Sequence, residues 1–257
     1  MKASFSSRAV NWYKRNAAVP VFRRTIPFEL SEPIISFTFD DFPQTALFEG
    51  GAALKRHNVA GTFYVSLGLL DTLAPAGQLC RLEDVIATAN DGHELGCHTY
   101  SHCHSWDTNS RDYERALTEN AAALTRILPG HKFQSFSYPI ALPRPSVKRV
   151  CSKYFSSCRG GGQVSNFGSA DLNQLSAYFL EKVDGNLEPV KAAIELNRQG
   201  KGWLIFATHD VTLNPSPYGC TPQFFKDVVQ CAIDSGARVL PVAQAVGIVR
   251  GLTPSMN

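Results

Sequence analysis

The run IISFTFDDFP, Ile34 to Pro43, decides how the chain is read. Its first six residues, Ile34–Phe39, carry no charge and are mostly apolar or β-branched. A run of that length, bounded by a turn signal, predicts a strand buried on both faces. Such strands belong to parallel sheets covered by crossover helices. The run stops at two adjacent carboxylates, Asp40 and Asp41, just ahead of Pro43. Adjacent acids at the end of a buried strand are costly unless a cation or hydrogen bonds compensate them. Successive extended residues point in different directions, so the two acids can divide two roles between them. A helix cap with a turn acid ahead of the proline is the competing reading.

Outward from this run, short β-rich stretches alternate with helix-length segments. Extended stretches are predicted at Gly61–Leu67, Glu94–Cys97, Ser135–Tyr138, Tyr154–Arg159, Tyr178–Val183, Trp203–Thr208 and Arg238–Val242. Helices are predicted at Ala46–His57, Leu82–Asn90, Arg111–Leu128, Pro145–Tyr154, Leu187–Gln199, Thr221–Ser235 and Ala243–Val249. Strict alternation implies βαβ units, and seven or eight of them imply a closed or nearly closed β/α barrel. No repeat or low-complexity tract divides the chain of 257 residues, which suits a single α/β domain over residues 33–250.

Residues 1–32 form a separate basic segment. Residues 1–28 hold Lys2, Arg8, Lys14, Arg15, Arg23 and Arg24 and no acid, so the net charge of +3 comes from this end and the remainder is mildly acidic. A body of that charge argues against nucleic-acid binding. Three readings of the segment stay open: packing on the barrel, peripheral contact with anionic membrane through the basic residues with Trp12, Tyr13 and Phe22, and an organelle transit peptide. No secretory h-region and no membrane-length apolar stretch occurs, which together with the cysteines predicts a cytoplasmic location. The seven cysteines are odd in number and form no C-x-x-C, so they are read as free, buried thiols in a reducing compartment.

Four predicted strand ends carry reactive groups: Asp40-Asp41, His98 through His102, Tyr138-Pro139, and His209-Asp210. In a barrel of this kind the strand ends converge. His98 and His102 are spaced i, i+4, and two imidazoles with a carboxylate make a common metal set that leaves positions for water and substrate. H-x-x-x-H alone is a weak pattern, and a pair of surface or core histidines is the alternative. Cys97 and Cys103 flank the pair as conceivable thiolate ligands, but Cys97 should face away from His98 across its strand.

The stretches SFTFDD (Ser36–Asp41), GTFYV (Gly61–Val65), GHELGCHTYSH (Gly92–His102) and LIFATHD (Leu204–Asp210) together resemble the successive motifs of the polysaccharide deacetylases, the NodB-homology group or carbohydrate esterase family 4. The resemblance runs from about Pro33 to Val242 and implies a distorted (β/α) barrel of about seven strands. It implies Asp40 as catalytic base, Asp41 with His98 and His102 as ligands of a divalent metal, most often Zn2+, and His209 as general acid. The implied reaction is hydrolysis of an N-acyl amide on an amino sugar, with a carbohydrate as partner. An oxyanion is expected against the loop Tyr138, Pro139, Ile140. An amidase or cyclic-imide hydrolase, and a non-catalytic glycan-binding barrel, are the alternatives.

The chain departs from the family pattern in three places. Ser137 stands where an Arg is expected ahead of the proline turn, and Arg159, before Gly160–Gly162, is the favoured replacement over Arg144. The family's Asp-x-x-Asp-Trp stretch has no counterpart, Asp184 being a weak substitute. Ala207 replaces a leucine that often lines the acyl pocket.

Overall fold

The buried run of the sequence is the centre of the fold. The computed structural model describes residues 10, 12–14 and 16–251. In chain order it contains β1 (Thr25–Pro27), β2 (Ile34–Phe39), α1 (Ala46–Gly51 as a π-turn, then Ala52–Lys55), β3 (Thr62–Val65), β4 (Leu73–Ala74), β5 (Gly77–Gln78), α2 (Leu82–Asn90), β6 (Glu94–Cys97) and α3 (Ser110–Ile127). After these come β7 (Ser135–Ser137), α4 (Pro145–Cys151), β8 (Ser157–Arg159), β9 (Ser169–Asp171), β10 (Tyr178–Phe179), α5 (Leu187–Gln199), β11 (Trp203–Thr208), α6 (Pro222–Asp234), β12 (Arg238–Val239) and α7 (Val242–Val249).

The main sheet runs β10-β11-β2-β3-β6-β7-β8, all parallel. β11 pairs with β2 along its whole length, from Trp203↔Ile34 to Thr208↔Phe39. β12 and β3 therefore divide the other edge of β2, taking Ile34–Ile35 and Thr38–Phe39 respectively. The ends of this path meet without a regular ladder. Gly160 donates to the Leu175 carbonyl and Gln163 to the Ala177 carbonyl, each at 2.9 Å, and the latter stretch leads directly into β10. This irregular seam is the distortion of the barrel.

Alternate residues of the strands feed two cores, one on each face of the sheet. Phe37, Phe39, Phe63, Phe206 and Phe225 pack where helices cover the sheet. Ile34, Trp203, Ile205 and Ala207 pack on the opposite face with Val242 and Val246 of α7. Glu94 fixes α7 there, accepting from Thr62 Oγ1 (2.9 Å), Ser135 Oγ (2.5 Å) and the Ala243 N–H (2.8 Å).

The strands Ile34–Phe39, Glu94–Cys97 and Trp203–Thr208 and the helices Leu82–Asn90 and Leu187–Gln199 have the bounds expected from sequence. Tyr178–Val183 does not. It is extended only over Tyr178–Phe179 and then turns as a 3-10 helix, Leu180–Val183. A continued strand would alternate Glu181 and Lys182 between the faces and drive one charge into the interior. Helix α1 opens with a π-turn because Gly50 rides against the Phe39 ring, where an added Cβ would sit 2.6 Å from a ring carbon.

The basic N-terminal segment is stitched to the barrel from Ala18 onward. β1 pairs antiparallel with β9, and Arg24 donates to the carbonyls of Phe155 (2.9 Å) and Ser156 (2.7 Å). Lys148, wholly buried, donates to the Ala18 carbonyl at 2.9 Å and pairs with Asp171 at 2.7 Å. Lys2, Arg8 and Arg15 lie outside the described residues. Replacing Lys148 by Met removes the buried cation from Asp171 Oδ2 and the donor from that carbonyl; a loss of about 3 kcal/mol is expected in urea unfolding, with new protease cleavage between residues 16 and 28. Unchanged stability and cleavage would remove this latch from the account.

Candidate metal centre and active site

The tips of two strands, β2 and β6, meet around Asp41. His98 follows β6 directly, and the turn after it carries His102. Their Nε2 atoms lie 3.4 and 3.2 Å from Asp41 Oδ1, and the three ligand atoms all fall within 4.8 Å of one another. An ion bonded at about 2.0–2.2 Å to nitrogen and oxygen keeps neighbouring ligands roughly 3 to 3.5 Å apart, so the donor set fits a divalent metal. The backbone is bent to achieve this: Asp41, Thr99 and His102 have φ of 60°, 64° and 53°, in the left-handed region that non-glycine residues avoid.

The ligands are held from behind. His98 Nδ1–H donates to the Ser137 carbonyl at 2.8 Å, which leaves Nε2 free to bind. Cys97, one residue earlier, turns the other way, its thiol receiving an amide hydrogen of Asn120 at 3.2 Å. Burial pushes that thiol up to about 12, and all seven cysteines are free. His104 is not in the ligand group; it packs edge-on to His102 and faces Asp107.

Asp40, the other acid of the pair, binds Arg159 instead. The guanidinium Nη2 contacts both carboxylate oxygens and also donates to Ser137 Oγ at 2.6 Å. Ser137 and Arg159 are register partners on β7 and β8, so the cation has moved one strand over at the same height. The guanidinium is sandwiched between the rings of Tyr64 (5.3 Å) and Phe179 (5.4 Å). Tyr64 in turn lies flat on Gly96, where any Cβ would strike its ring. Burial pushes the Asp40 carboxyl up, but Arg159, with His98 and His209, outweighs it and holds the group below the usual carboxylate range.

His209 follows β11 as Asp40 follows β2, and the Asp40 N–H donates to the Thr208 carbonyl at 2.9 Å, setting the two tips side by side. Its Nδ1 donates to the Tyr218 carbonyl at 3.2 Å, leaving Nε2 for other work. Asp210 is buried and accepts from the Ser216 N–H (2.7 Å) and hydroxyl (2.5 Å), which folds the loop carrying Tyr218 back over the strand end. Gly219 is required at that fold because a Cβ would collide with Asp210.

Set against these coordinates, a sequence model described as Polysaccharide deacetylase matches residues 29–154. Residues 29–154 belong to the polysaccharide deacetylase family. The family is one of hydrolases acting on carbon–nitrogen bonds other than peptide bonds, and its matched region ends within the barrel that the rest of the chain completes. No curated protein sequence matches the chain significantly. Among solved structures, the fold is similar to a family 4 acetyl xylan esterase from Clostridium thermocellum in complex with a cobalt ion (18% identity, TM-score 0.60, 86% of this chain and 93% of that one). It is also similar to the chitin deacetylase from Colletotrichum lindemuthianum (19%, TM-score 0.60, 86% and 90%). A peptidoglycan deacetylase from Bacillus subtilis gives 15% identity and TM-score 0.56 over 86% and 93%.

Several residues of this polysaccharide deacetylase domain sit elsewhere than the sequence implied. The Tyr138 side chain adds nothing to the cleft surface: it is buried against Phe136 and its hydroxyl donates to the Asn173 carbonyl at 3.0 Å. Its N–H is likewise committed, to the Arg159 carbonyl at 3.1 Å. Of this loop, Pro139 is buried and Ile140 exposed, with φ of 62°. Tyr64 packs on Arg159 and Trp106 is covered by Tyr13 and Lys14, whereas Tyr218 is exposed beside His209. Ala207 is fully buried opposite Phe179 and opens no space. Asp184 is exposed at the end of the 3-10 turn. Arg144 is engaged with the Thr108 carbonyl. The residue that sequence reasoning passed over is Glu181, discussed below.

The protonation of these side chains gives a test. Burial pulls His98 down, but the Asp41 and Asp40 carboxylates outweigh it and lift the imidazole above its ordinary value. His102, pulled down by burial and by His98, titrates at about 4. Metal binding near pH 6.5 should then release about one proton, taken from His98, and the release should fade as pH rises. Calorimetric titration of metal-free protein with Zn2+ in buffers of different ionisation enthalpy measures it. One ion per chain is expected, with affinity reduced more than about 100-fold in His98→Ala or Asp41→Asn, since outer-shell losses alone reach 10–100-fold. Undiminished binding in both variants would place the ion elsewhere.

Proposed function

We propose that the protein is a divalent-metal-dependent N-deacylase that removes acetyl from the nitrogen of an amino sugar in an oligosaccharide, polysaccharide or glycan precursor. One observation carries the reading: Asp40, outside the group of three converging ligand atoms next to it in sequence, is locked to a buried arginine. A purely structural metal site has no use for such a group. We assign Asp41, His98 and His102 to the ion, with Zn2+ the best match to two imidazoles and a carboxylate.

A divalent ion held by Asp41, His98 and His102 would supply Lewis acidity, lowering the pKa of water toward about 7 and polarising the acyl carbonyl. Asp40, kept ionised by Arg159, takes the proton from the attacking water. Arg159 touches no reacting atom; it holds the carboxylate in place and in the charged state. His209 Nε2, on the neighbouring strand tip, delivers a proton to the departing nitrogen, which leaves poorly as an anion. Tyr218 offers an exposed ring beside His209 for a sugar face. The Tyr138–Ile140 turn borders the same end of the barrel and contributes backbone rather than aromatic surface.

No specific observation favours an amidase of small imides or a non-catalytic glycan binder. We further read residues 33–250 as the catalytic barrel and residues 1–32 as an arm latched to it. Exposed Trp12, Tyr13 and Phe22 among basic side chains support peripheral contact with anionic lipid. No helix among the described residues is long and apolar enough to cross a membrane, and the seven free thiols support a cytoplasmic site of action.

The test is acetate release from N-acetylglucosamine oligomers. Chelation should abolish it and Zn2+ restore it. Asp40→Asn and His209→Gln should each reduce kcat by roughly 10²–10⁴-fold while binding one metal ion as the wild type does. Full activity in Asp40→Asn would end the proposal.

A further inference from the structure

Glu181 occupies a place that the reaction above does not use. β10 pairs Phe179 with Ala207, and β11 pairs Thr208 with Phe39. Two residues past Phe179 therefore comes Glu181, one past Thr208 comes His209, and one past Phe39 comes Asp40. These three groups follow adjacent strand tips, on the rim where a β/α barrel keeps its chemistry, and the charge of Asp40 is felt at Glu181. Glu181 begins a departure from the sheet rather than a continuation of it, within the 3-10 turn Leu180–Val183.

Its surroundings are unfinished. Glu181 Oε2 is buried, yet no described group donates to it. Native proteins satisfy nearly all such atoms with protein groups or ordered water, so this acceptor, which borders a cavity, is open to a donor from outside the chain. A cavity of about 400 Å³ lies alongside, walled by Glu181 and Asp184 on one side and by Ser216, Gly219 and Thr221 on the other, with Phe224 below. That size lies within the usual range for small-ligand sites. The lining has two carboxyls and no cationic side chain. The same loop carries Tyr218, which packs on His209, so the cavity opens next to the group assigned to protonate the leaving nitrogen.

We propose that Glu181 determines specificity in a subsite beside His209, where its carboxyl binds a hydrogen-bond donor, hydroxyl or ammonium, on the sugar unit next to the one being deacylated. The same carboxyl disfavours a unit that carries a carboxylate. This deepens the N-deacylase reading and rests on it. Burial raises the Glu181 carboxyl to about 7, with the charge of Asp40 adding to the rise and Lys182 and Arg159 opposing it. Asp184 from its own turn and Cys220 from the facing loop are the other ionisable groups lining the cavity. Near neutrality the group therefore shifts from a neutral donor–acceptor to an anion, and rejection of acidic sugars should strengthen as pH rises.

The experiment compares wild type, Glu181→Gln and Glu181→Leu, each metal-loaded. Substrates are a neutral N-acetylglucosamine oligomer, a partly deacetylated one and one with a neighbouring uronic acid. Glu181→Leu should raise KM for the neutral oligomer about tenfold, the scale of one lost hydrogen bond, with kcat moving far less. Glu181→Gln should keep the neutral KM near wild type. It should also erase the growing rejection of the uronate oligomer between about pH 6 and pH 8. A Glu181→Gln loss confined to the partly deacetylated oligomer identifies ammonium as the donor; equal behaviour of the two identifies hydroxyl. Unchanged KM for all substrates in both variants, or a fall in kcat alone, overturns the proposal. If Glu181→Leu does not fold, the pH and uronate comparison in Glu181→Gln decides. If wild type turns over no glycan, the N-deacylase reading fails, and calorimetric binding of the same oligomers still tests the subsite.

Discussion

The pairing of Arg159 with Asp40 is the contact on which the active end of the barrel depends. Two aspartates follow one another at the tip of a buried strand, and elementary electrostatics forbids both from remaining charged without compensation. The fold resolves this by giving each acid its own cation. Arg159 serves Asp40, while Asp41 faces His98 and His102 and, with them, makes a site fit for a metal. Without the guanidinium, Asp40 has two escapes: it takes up a proton, or it turns to the metal as a fourth ligand. Either change removes the proposed base.

That ion pair in turn explains residues with no chemistry of their own. Gly96 has no side chain because Tyr64 lies against it, and Tyr64 lies there because its ring, with Phe179, walls in the guanidinium. Ser137 supplies a hydroxyl to Arg159 and a carbonyl to His98, so one residue of β7 braces both the partner of Asp40 and a candidate metal ligand. A buried ion pair is poor evidence of stability in itself. Here its value lies in orientation and charge state.

Much of this was legible before any coordinates. Ile34–Phe39, Glu94–Cys97 and Trp203–Thr208 announce themselves as buried strands because their composition has no other use, and their ends display Asp40-Asp41, His98 and His209. The migration of the arginine from position 137 to 159 was also traceable, since Arg159 ends the adjacent strand before a glycine run. Other features were hidden for physical reasons. Tyr138 looked like a cleft residue because its neighbours are, but side chains alternate along a strand, and its own points to the core. Glu181 was submerged in an apparent strand, Tyr178–Val183, whose early termination depends on contacts with β11 that sequence spacing does not reveal. The irregular seam between β8 and β10 likewise has no local signature.

Anomalous diffraction from zinc-loaded crystals addresses the division of labour between the two aspartates most directly. The account predicts one ion bonded by Asp41, His98 and His102 at about 2.0–2.2 Å, with Asp40 outside the coordination sphere and still paired with Arg159. An ion that recruits Asp40 as a ligand, or that binds away from these residues, would contradict it.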